Sequence, residues 1–447
     1  MLGASPAALA SPHLWSPLMS PRHLLMALAI PALATSFAAC SSPSATPQDA
    51  GDATDAPTYQ DDADATPAPD ADATPQPTSL RVATFNTSLF GSEAGDLLET
   101  LANPDEEHPK KIANVIQLVR PDVILLNEFD FDDEQEAIDL FASNFLEVAQ
   151  DADGEAISYP YRYQFPSNTG IASGFDLNGD DEVGETVGTQ AYGNDAFGFG
   201  LFPGQYAFAV LSKYPLDLEG MRTFQNFLWK DMPDNRIPED FYSAEALEVL
   251  RLSSKNHVDL PIDIEGQTIH LLASHPTPPA FDGAEGRNKR RNADEIRFWH
   301  DYIRPAASDY IYDDAGQTGG LTDGAHFVIV GDLNDDPVDG DGLDAADLLV
   351  ADATLIDPQP ESTGAIASGN AREGANLEHQ ADHRYDTARF NPNVGNLRLD
   401  YALPSATLEV TGKGVFWPAS TEDYFELIQV SDHHLVWVDV VLPQSDD

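Results

Sequence analysis

The chain has 447 residues, with 75 Asp and Glu against 23 Lys and Arg, a formal net charge of −52 and a single cysteine. One cysteine excludes an internal disulfide framework, so the folded part must draw its stability from an apolar core, to which a bound metal would add. The charge disfavours the broad basic face by which duplex nucleic acid is usually held.

Arg22 and His23 precede an apolar stretch from Leu24 to Ala39, and Ala38 and Ala39 stand directly before Cys40. This pattern predicts an export signal over residues 1–40, too short and too interrupted by Pro31 for a good membrane span, with Met19 as an alternative start. A cysteine just past such a signal, followed by a flexible tether, resembles a bacterial lipoprotein, which would place a lipid anchor on Cys40 and hold the protein at the cell surface or in the periplasm. A plain signal peptide with an incidental cysteine, and a secreted product, is the alternative. Residues 41–78 are almost wholly Asp, Ala, Thr, Pro, Ser and Gln, and carry too little apolar surface to offset the entropy of ordering, so they read as a linker. Eight Asp and one Arg up to residue 78 give −7, which leaves −45 on the remainder. The domain predicted over 79–447 is therefore itself acidic. Salt adaptation explains that charge more simply than a role in function.

Within this domain, Leu80 to Asn86 reads as a strand, and Lys111 to Val119 as a helix with Ile112, Val115, Ile116 and Val119 on one face, stopped by Pro121. Strands follow at Val123 to Leu126, Ala207 to Leu211, Ile269 to Ala273, Phe327 to Val330, Leu397 to Ala402 and Leu435 to Val441, with helices at Ala293 to Tyr302 and Asp344 to Val350. Strands outnumber helices and do not alternate strictly with them. This predicts an α/β (α+β) layered sandwich of mixed β-sheets rather than a doubly wound sheet or a barrel.

Polar clusters stand at the ends of these apolar runs: Asn86 in VATFN, Glu128 in VILLNE, His275 in LLASH, Asp332 and Asn334 in VIVGDLN, Asp400 in RLDY, and Asp432 with His433 in VSDHH. Buried strands normally continue apolar or end in turn residues, so these side chains are expected to converge on one rim. Carboxylates with amides and imidazoles, and no thiolate, suit hard cations such as Mg²⁺, Mn²⁺ or Ca²⁺. An Asp fixing the tautomer of a His makes a base able to take a proton from water, and beside a metal that neutralises phosphate oxygens this is a set for hydrolysing a phosphate ester. Taken singly, each residue also fits a bland role: Asp332 and Asn334 as turn caps, Asp400 as a partner of Arg398.

The ordered series FN, NE, SH, GDLN, LDY and SDHH, over about residues 79–443, resembles the endonuclease/exonuclease/phosphatase superfamily. The resemblance implies a deoxyribonuclease-like fold of two mixed sheets packed face to face and flanked by helices. It further implies Glu128 as principal metal ligand, with Asn86 and Asp432 close to the metal or its waters. His433 would be the general base oriented by Asp400, and His434 would be structural. Asp332 would position the nucleophile, Asn334 would bind a phosphate oxygen, and His275 would serve the leaving-group side. The expected activity is a Mg²⁺- or Mn²⁺-dependent hydrolysis of a phosphodiester or small phosphate ester. The acidic surface disfavours nucleic acid as substrate, although a secreted nuclease is an alternative, and a binding module that lost catalysis is another. No protein partner is implied, and membrane contact only through Cys40.

Other candidates lie off this series. Arg287 and Asn288, ahead of Lys289, Arg290 and Arg291, form a basic cluster that reads either as a phosphate clamp or as a solvated helix start. Arg162 and Asn168 in YRYQFPSNTG are further phosphate candidates. Asp176, Asn178, Asp180 and Glu182 stand at every second residue, the oxygen-ligand spacing of a calcium loop, although Asp181 and Val187 occupy places that a full EF-hand gives to Gly and Glu. Tyr206 reads either as a cleft residue or as core.

Overall fold

A computed structural model describes residues 79–443 apart from 152, 153, 344 and 372. The expected signal, Cys40 and the linker lie outside the described residues. The strands are β1 (Ser79–Leu89), β2 (Val123–Phe129), β3 (Tyr161–Phe165), β4 (Phe208–Ser212), β5 (Arg222–Thr223), β6 (His257–Ile264), β7 (Gln267–Ser274), β8 (Phe327–Asp332), β9 (Ala388–Arg389), β10 (Asn396–Leu397), β11 (Asp400–Pro404), β12 (Glu409–Val415) and β13 (Val436–Val441). The helices are α1 (Asp96–Ala102), α2 (Glu107–Val119), α3 (Glu136–Phe141), α4 (Gln190–Asn194), α5 (Ala244–Leu247), α6 (Arg287–Tyr302), α7 (Ala345–Val350) and α8 (Thr363–Asn370).

One sheet runs β12-β13-β1-β2-β4-β3 and the other β11-β8-β7-β6-β5. The β1–β2 and β7–β8 pairs are parallel and the remaining neighbours antiparallel, so both sheets are mixed, as the strand pattern predicts.

The period-two alternation along each strand sorts its side chains into layers. Leu80 and Val82 of β1 meet Leu260, Leu271 and Val328 of the opposite sheet in a central apolar layer, while Ala83 and Phe85 point the other way onto Ile112 and Ile116 of α2. On the far side, Leu272, Ile329 and Leu403 pack against Ile296 and Trp299 of α6 and Leu349 of α7. Each such side chain taken fully from water contributes about 1.5–3 kcal/mol. The result is a helix, sheet, sheet, helix sandwich.

Short elements such as β3, β12, α1, α3 and α8 add to the sequence reading, and two stretches depart from it. The run His257–Ile264 is a strand although Pro261 lies inside it; its Val258, Leu260, Ile262 and Ile264 alternate into the central layer. The expected strand Leu397 to Ala402 is instead broken between β10 and β11. There Arg398 turns its guanidinium onto Asp357, at 2.5 and 2.9 Å, and gives its backbone N–H to Asp336.

Candidate active site

The mixed topology brings the polar strand ends to one rim. Asn86 lies in β1 and Glu128 in the parallel β2, Asp332 ends β8, and His275 follows the parallel β7. Asp400 opens the antiparallel β11 directly opposite Asp332, and His433 lies just ahead of β13, which runs antiparallel to β1. Gly331 allows β8 to approach β7 here: its φ is +153°, and a Cβ would meet the Ser274 carbonyl at 2.0 Å. Glu128 and Asn334 also hold left-handed backbones, at φ 55° and 54°, and for Glu128 this stores strain at a reactive rim.

Asp332 is the hub. Its Oδ2 accepts from Asn86 Nδ2 at 3.1 Å and lies 3.4 Å from His275 Nε2 and 3.5 Å from His433 Nε2; its Oδ1 accepts from the Asn334 backbone N–H at 3.0 Å. On its other edge His433 Nδ1 meets Asp400 Oδ2 at 2.9 Å, and the same oxygen accepts from the Thr387 hydroxyl at 2.8 Å. Ser431 links the strand ends, donating its hydroxyl to the Asn86 carbonyl at 2.8 Å while accepting the His433 backbone N–H at 3.1 Å. Asp332, Asp400, His275 and His433 are all at least 95% buried.

Burial opposes a charged His433, but Asp400, Asp332 and Asp432 outweigh it and hold the imidazole well above its ordinary value. Burial likewise pushes the Asp400 carboxyl up, to about 6, against the pull of His433. Burial alone would raise Asp332 as well, yet His433, His275 and the Asn86 amide together bring it below the usual carboxylate range. His275 is lowered, first by burial and then by Lys255, so it is neutral near pH 7 with Nε2–H toward Asp332. In metal-free protein a folded value above 6.5 makes charged His433 stabilise the fold; that contribution is complete below pH 6.5 and is lost as pH rises through the raised value. The expected result, with EDTA present, is that the fall in Tm from pH 6 to pH 9 is shallower in His433→Gln than in the parent; parallel curves would contradict the raised value.

Lys255, Thr387, Ser431 and Glu295 belong to this site and escape the sequence reading. Lys255 is only 7% exposed, and its Nζ lies 3.5 Å from the Pro276 carbonyl, the atom that also accepts from Asn334 Nδ2 at 3.1 Å. The ammonium and the Asn334 amide therefore stand side by side. Burial lowers the Lys255 ammonium, with Glu295, Glu128 and Asp332 opposing. Glu295, on α6, accepts the Ser254 N–H at 2.6 Å and the Thr277 N–H at 2.7 Å, clamping the loops that carry Lys255 and His275. Glu295→Ala would strand two buried N–H groups and is expected to cost about 3 kcal/mol in urea unfolding; a loss below about 1 kcal/mol would show that the clamp is dispensable. The scarcity of basic residues is the one signal that could have flagged Lys255.

Several expected site residues lie elsewhere. Asp432 is exposed, and its side chain is outside the buried cluster, acting on His433 only through its charge. Arg162 is committed to Asp139 at 2.5 Å and to the Tyr159 carbonyl, away from the rim. Asn168 is fully buried and spends its amide on the Gln225 and Ser253 carbonyls and on Arg251. Arg287 pairs with Glu285 at 2.8 Å, Asp282 accepts the Asn288 and Lys289 backbone N–H groups, and the Asn288 amide donates to the Ala280 carbonyl, so the basic cluster forms the first turn of α6. In the 176–182 loop both Asp176 oxygens accept backbone N–H groups, Asn178 donates to Asp180, and Asp180 also accepts the Glu182 N–H. These are Asx turns, made from the residue types that a calcium loop uses. His434 is packed structurally, as expected, with its ring centroid 4.0 Å from that of Trp417.

Among the described residues, the one group of three acidic or imidazole ligands within 4.8 Å is Asp332, Asp400 and His433. Asp400 and His433 are already bonded to each other, which leaves Asp332 and His433 Nε2 facing the rim. Glu128, half-buried at the same edge, accepts no hydrogen bond from the described residues. A carboxylate without a protein donor beside Asn86 and Asp332 fits a hard divalent cation.

This two-sheet sandwich with acidic and imidazole groups gathered on one rim defines a class of phosphoester hydrolases, and the sequence matches the Endonuclease/Exonuclease/phosphatase family over residues 83–433. The chain belongs to that family, whose members hydrolyse phosphoester bonds and are generally divalent-metal-dependent. No curated protein matches the chain. Similar solved structures include an endonuclease/exonuclease/phosphatase from Beutenbergia cavernae DSM 12333, at 18% identity and TM-score 0.45, covering 82% of this chain and 72% of that one. A family protein from Bacteroides thetaiotaomicron has 13% identity and TM-score 0.41, covering 83% and 100%. Sphingomyelinase C from Streptomyces griseocarneus has 18% identity and TM-score 0.41, covering 81% and 99%.

Proposed function

We propose that this protein is an exported, divalent-metal-dependent hydrolase of a phosphodiester or small phosphate ester, in which water attacks phosphorus directly. The observation that carries the reading is the His433 imidazole held between two carboxylates, with Nδ1 on Asp400 at 2.9 Å and Nε2 turned to the rim beside Asp332. Asp400 keeps the proton on Nδ1, which leaves Nε2 to receive the proton of the attacking water. Asp332 orients that water from the opposite side. In the substrate complex neutral His275 redirects its Nε2–H from Asp332 to the departing oxygen, while the Asn334 amide and the Lys255 ammonium take a phosphoryl oxygen. A cation held by Glu128, Asn86 and Asp332 would supply neutralisation of phosphoryl charge. Export rests on Arg22, the apolar stretch to Ala39 and Cys40.

The test is hydrolysis by the full-length protein, with Mg²⁺, Mn²⁺ or Ca²⁺, of plasmid DNA, RNA, bis(4-nitrophenyl) phosphate and a panel of phosphomonoesters. Turnover of small esters that is lost in His433→Ala and Glu128→Ala supports the proposal. Cleavage restricted to DNA or RNA would make the protein a nuclease, and silence on every substrate would leave a binding module.

A further inference from the structure

An aromatic pair stands at the end of the rim farthest from His433. Along one sheet the order is His433 ahead of β13, Asn86 in β1, Glu128 in β2 and then Tyr206, just ahead of β4; Asn127 pairs with Phe208, which sets Tyr206 across from Phe129. Along the other sheet it is Asp400 in β11, Asp332 in β8, His275 after β7 and Lys255 ahead of β6. The two rows run in the same sense, because β13 packs on β11 and β1 on β8, and the Asn168 N–H after β3 donates to the Lys255 carbonyl at 2.8 Å. The path from His433 to His275 therefore leads on to Tyr206.

Buried polar groups hold this pair in place. The Tyr206 ring meets the Phe90 ring edge-on at 4.6 Å between centroids, and Phe90 is 39% exposed, a large apolar side chain left open beside a polar site. Tyr206 keeps a left-handed backbone, φ 58°, which is costly for an aromatic residue. The buried Asp130 clamps it there: Oδ1 accepts the Tyr206 N–H at 2.9 Å and Oδ2 the Gly91 N–H at 2.7 Å, so one carboxylate fixes the backbones that carry both rings. Gln205 adds a second tie, donating to the Gly91 carbonyl at 2.8 Å and accepting the Leu201 N–H at 2.7 Å. The Tyr206 hydroxyl makes no hydrogen bond with the described residues. Burial, then the charges of Glu128 and Asp130, push this phenol up to about 12, so it is neutral and within reach of the Glu128 field. No Lys or Arg stands between Arg81 and Lys110, while Glu93 and Asp96 follow Phe90, so an anionic group is repelled here.

We propose that Phe90 and Tyr206 form the platform for the leaving group, and that they select phosphate esters whose departing alcohol is aromatic and uncharged. In-line displacement sets the leaving oxygen opposite the attacking water. With the water at His433, the departing group points past His275 and onto the two rings. The water oxygen bonds to phosphorus as the bond to the aryl oxygen breaks; His433 takes the water proton and His275 gives one to the aryl oxygen, which leaves as the phenol. The assignment rests on the phosphoester reading above and deepens it by naming the substrate class.

The test uses the full-length protein with Mg²⁺ or Mn²⁺ and two leaving groups of nearly equal acidity, 4-chlorophenol and hexafluoro-2-propanol. Each is supplied as its phosphate monoester and as its methyl phosphodiester, so that the leaving group is the only large organic group, and each rate is referred to the uncatalysed one. The aryl ester is expected to exceed the fluoroalkyl ester in kcat/KM by about fivefold or more, the worth of the ring contacts. In Phe90→Leu and in Tyr206→Leu, which keep apolar bulk and remove a ring, the ratio should fall toward unity, the loss falling on the aryl ester. Phe90 is exposed, so its replacement is expected to leave the fold intact and decides the matter even where Tyr206→Leu is unstable. Equal kcat/KM for the two esters in the parent protein, or a ratio that survives Phe90→Leu, would overturn the platform and leave the phosphoester reading standing. Turnover of neither ester, alongside hydrolysis of bis(4-nitrophenyl) phosphate, would likewise overturn the platform alone, whereas silence on all of these esters would overturn both.

Discussion

Replacing His433 by alanine is expected to lower kcat by about 10²–10⁴-fold, the range associated with a positioned general base, with little change in KM. The expectation follows from the ring's two hydrogen-bonding edges. Asp400 Oδ2 at 2.9 Å and the Thr387 hydroxyl on the same oxygen fix one edge, so the other has a single orientation toward the rim. Removing the ring also leaves Asp400 buried without its counter-charge, which destabilises the site further. Asp400→Asn should therefore retain the fold and lose much of the rate, because an amide can present its NH₂ to Nδ1 and hold the wrong tautomer. A His433→Ala enzyme with rates within a factor of three of the parent would exclude His433 as the base.

Glu128→Ala is expected to weaken divalent-cation binding by about 100-fold or more and to lower kcat by on the order of 10³-fold at fixed metal. Glu128 is held with a left-handed backbone at the end of β2, and no donor among the described residues satisfies its carboxylate. Such a group costs stability unless something positive completes it. Isothermal titration with Mn²⁺ separates the two effects: unchanged affinity combined with lost activity would move Glu128 from metal ligand to another role. Asp332→Ala, by contrast, removes the hub that orders Asn86, His275 and His433, and should broaden the response to every substrate and metal.

The sequence made the rim legible because strand ends are expensive places for polar side chains. Asn86, Glu128, His275, Asp332, Asp400 and His433 each interrupt an apolar run, and the structure brings all six to one edge. The layered fold was legible for the same reason, through alternation that sends Val82 inward and Ala83 outward. What was not legible depends on distant partners. Arg162 and Asn168 resemble phosphate contacts until Asp139, Gln225 and Ser253 are seen to absorb them. The 176–182 loop uses Asp and Asn at alternate positions for Asx turns, and local chemistry alone does not separate that from ion binding. Pro261 hid β6, since proline in a strand is usually confined to edges or bulges. Lys255 carried no motif, because its place is set by Glu295, 40 positions along the chain, and by a carbonyl that it shares with Asn334.

The most direct test of direct attack by water is the stereochemical course at phosphorus, measured with a chiral phosphorothioate ester hydrolysed in ¹⁸O-labelled water. A single in-line displacement with His433 as base predicts inversion, with one solvent oxygen in the phosphorus product and none in the alcohol. Retention, which requires a covalent intermediate on the protein, or label in the alcohol would contradict the account.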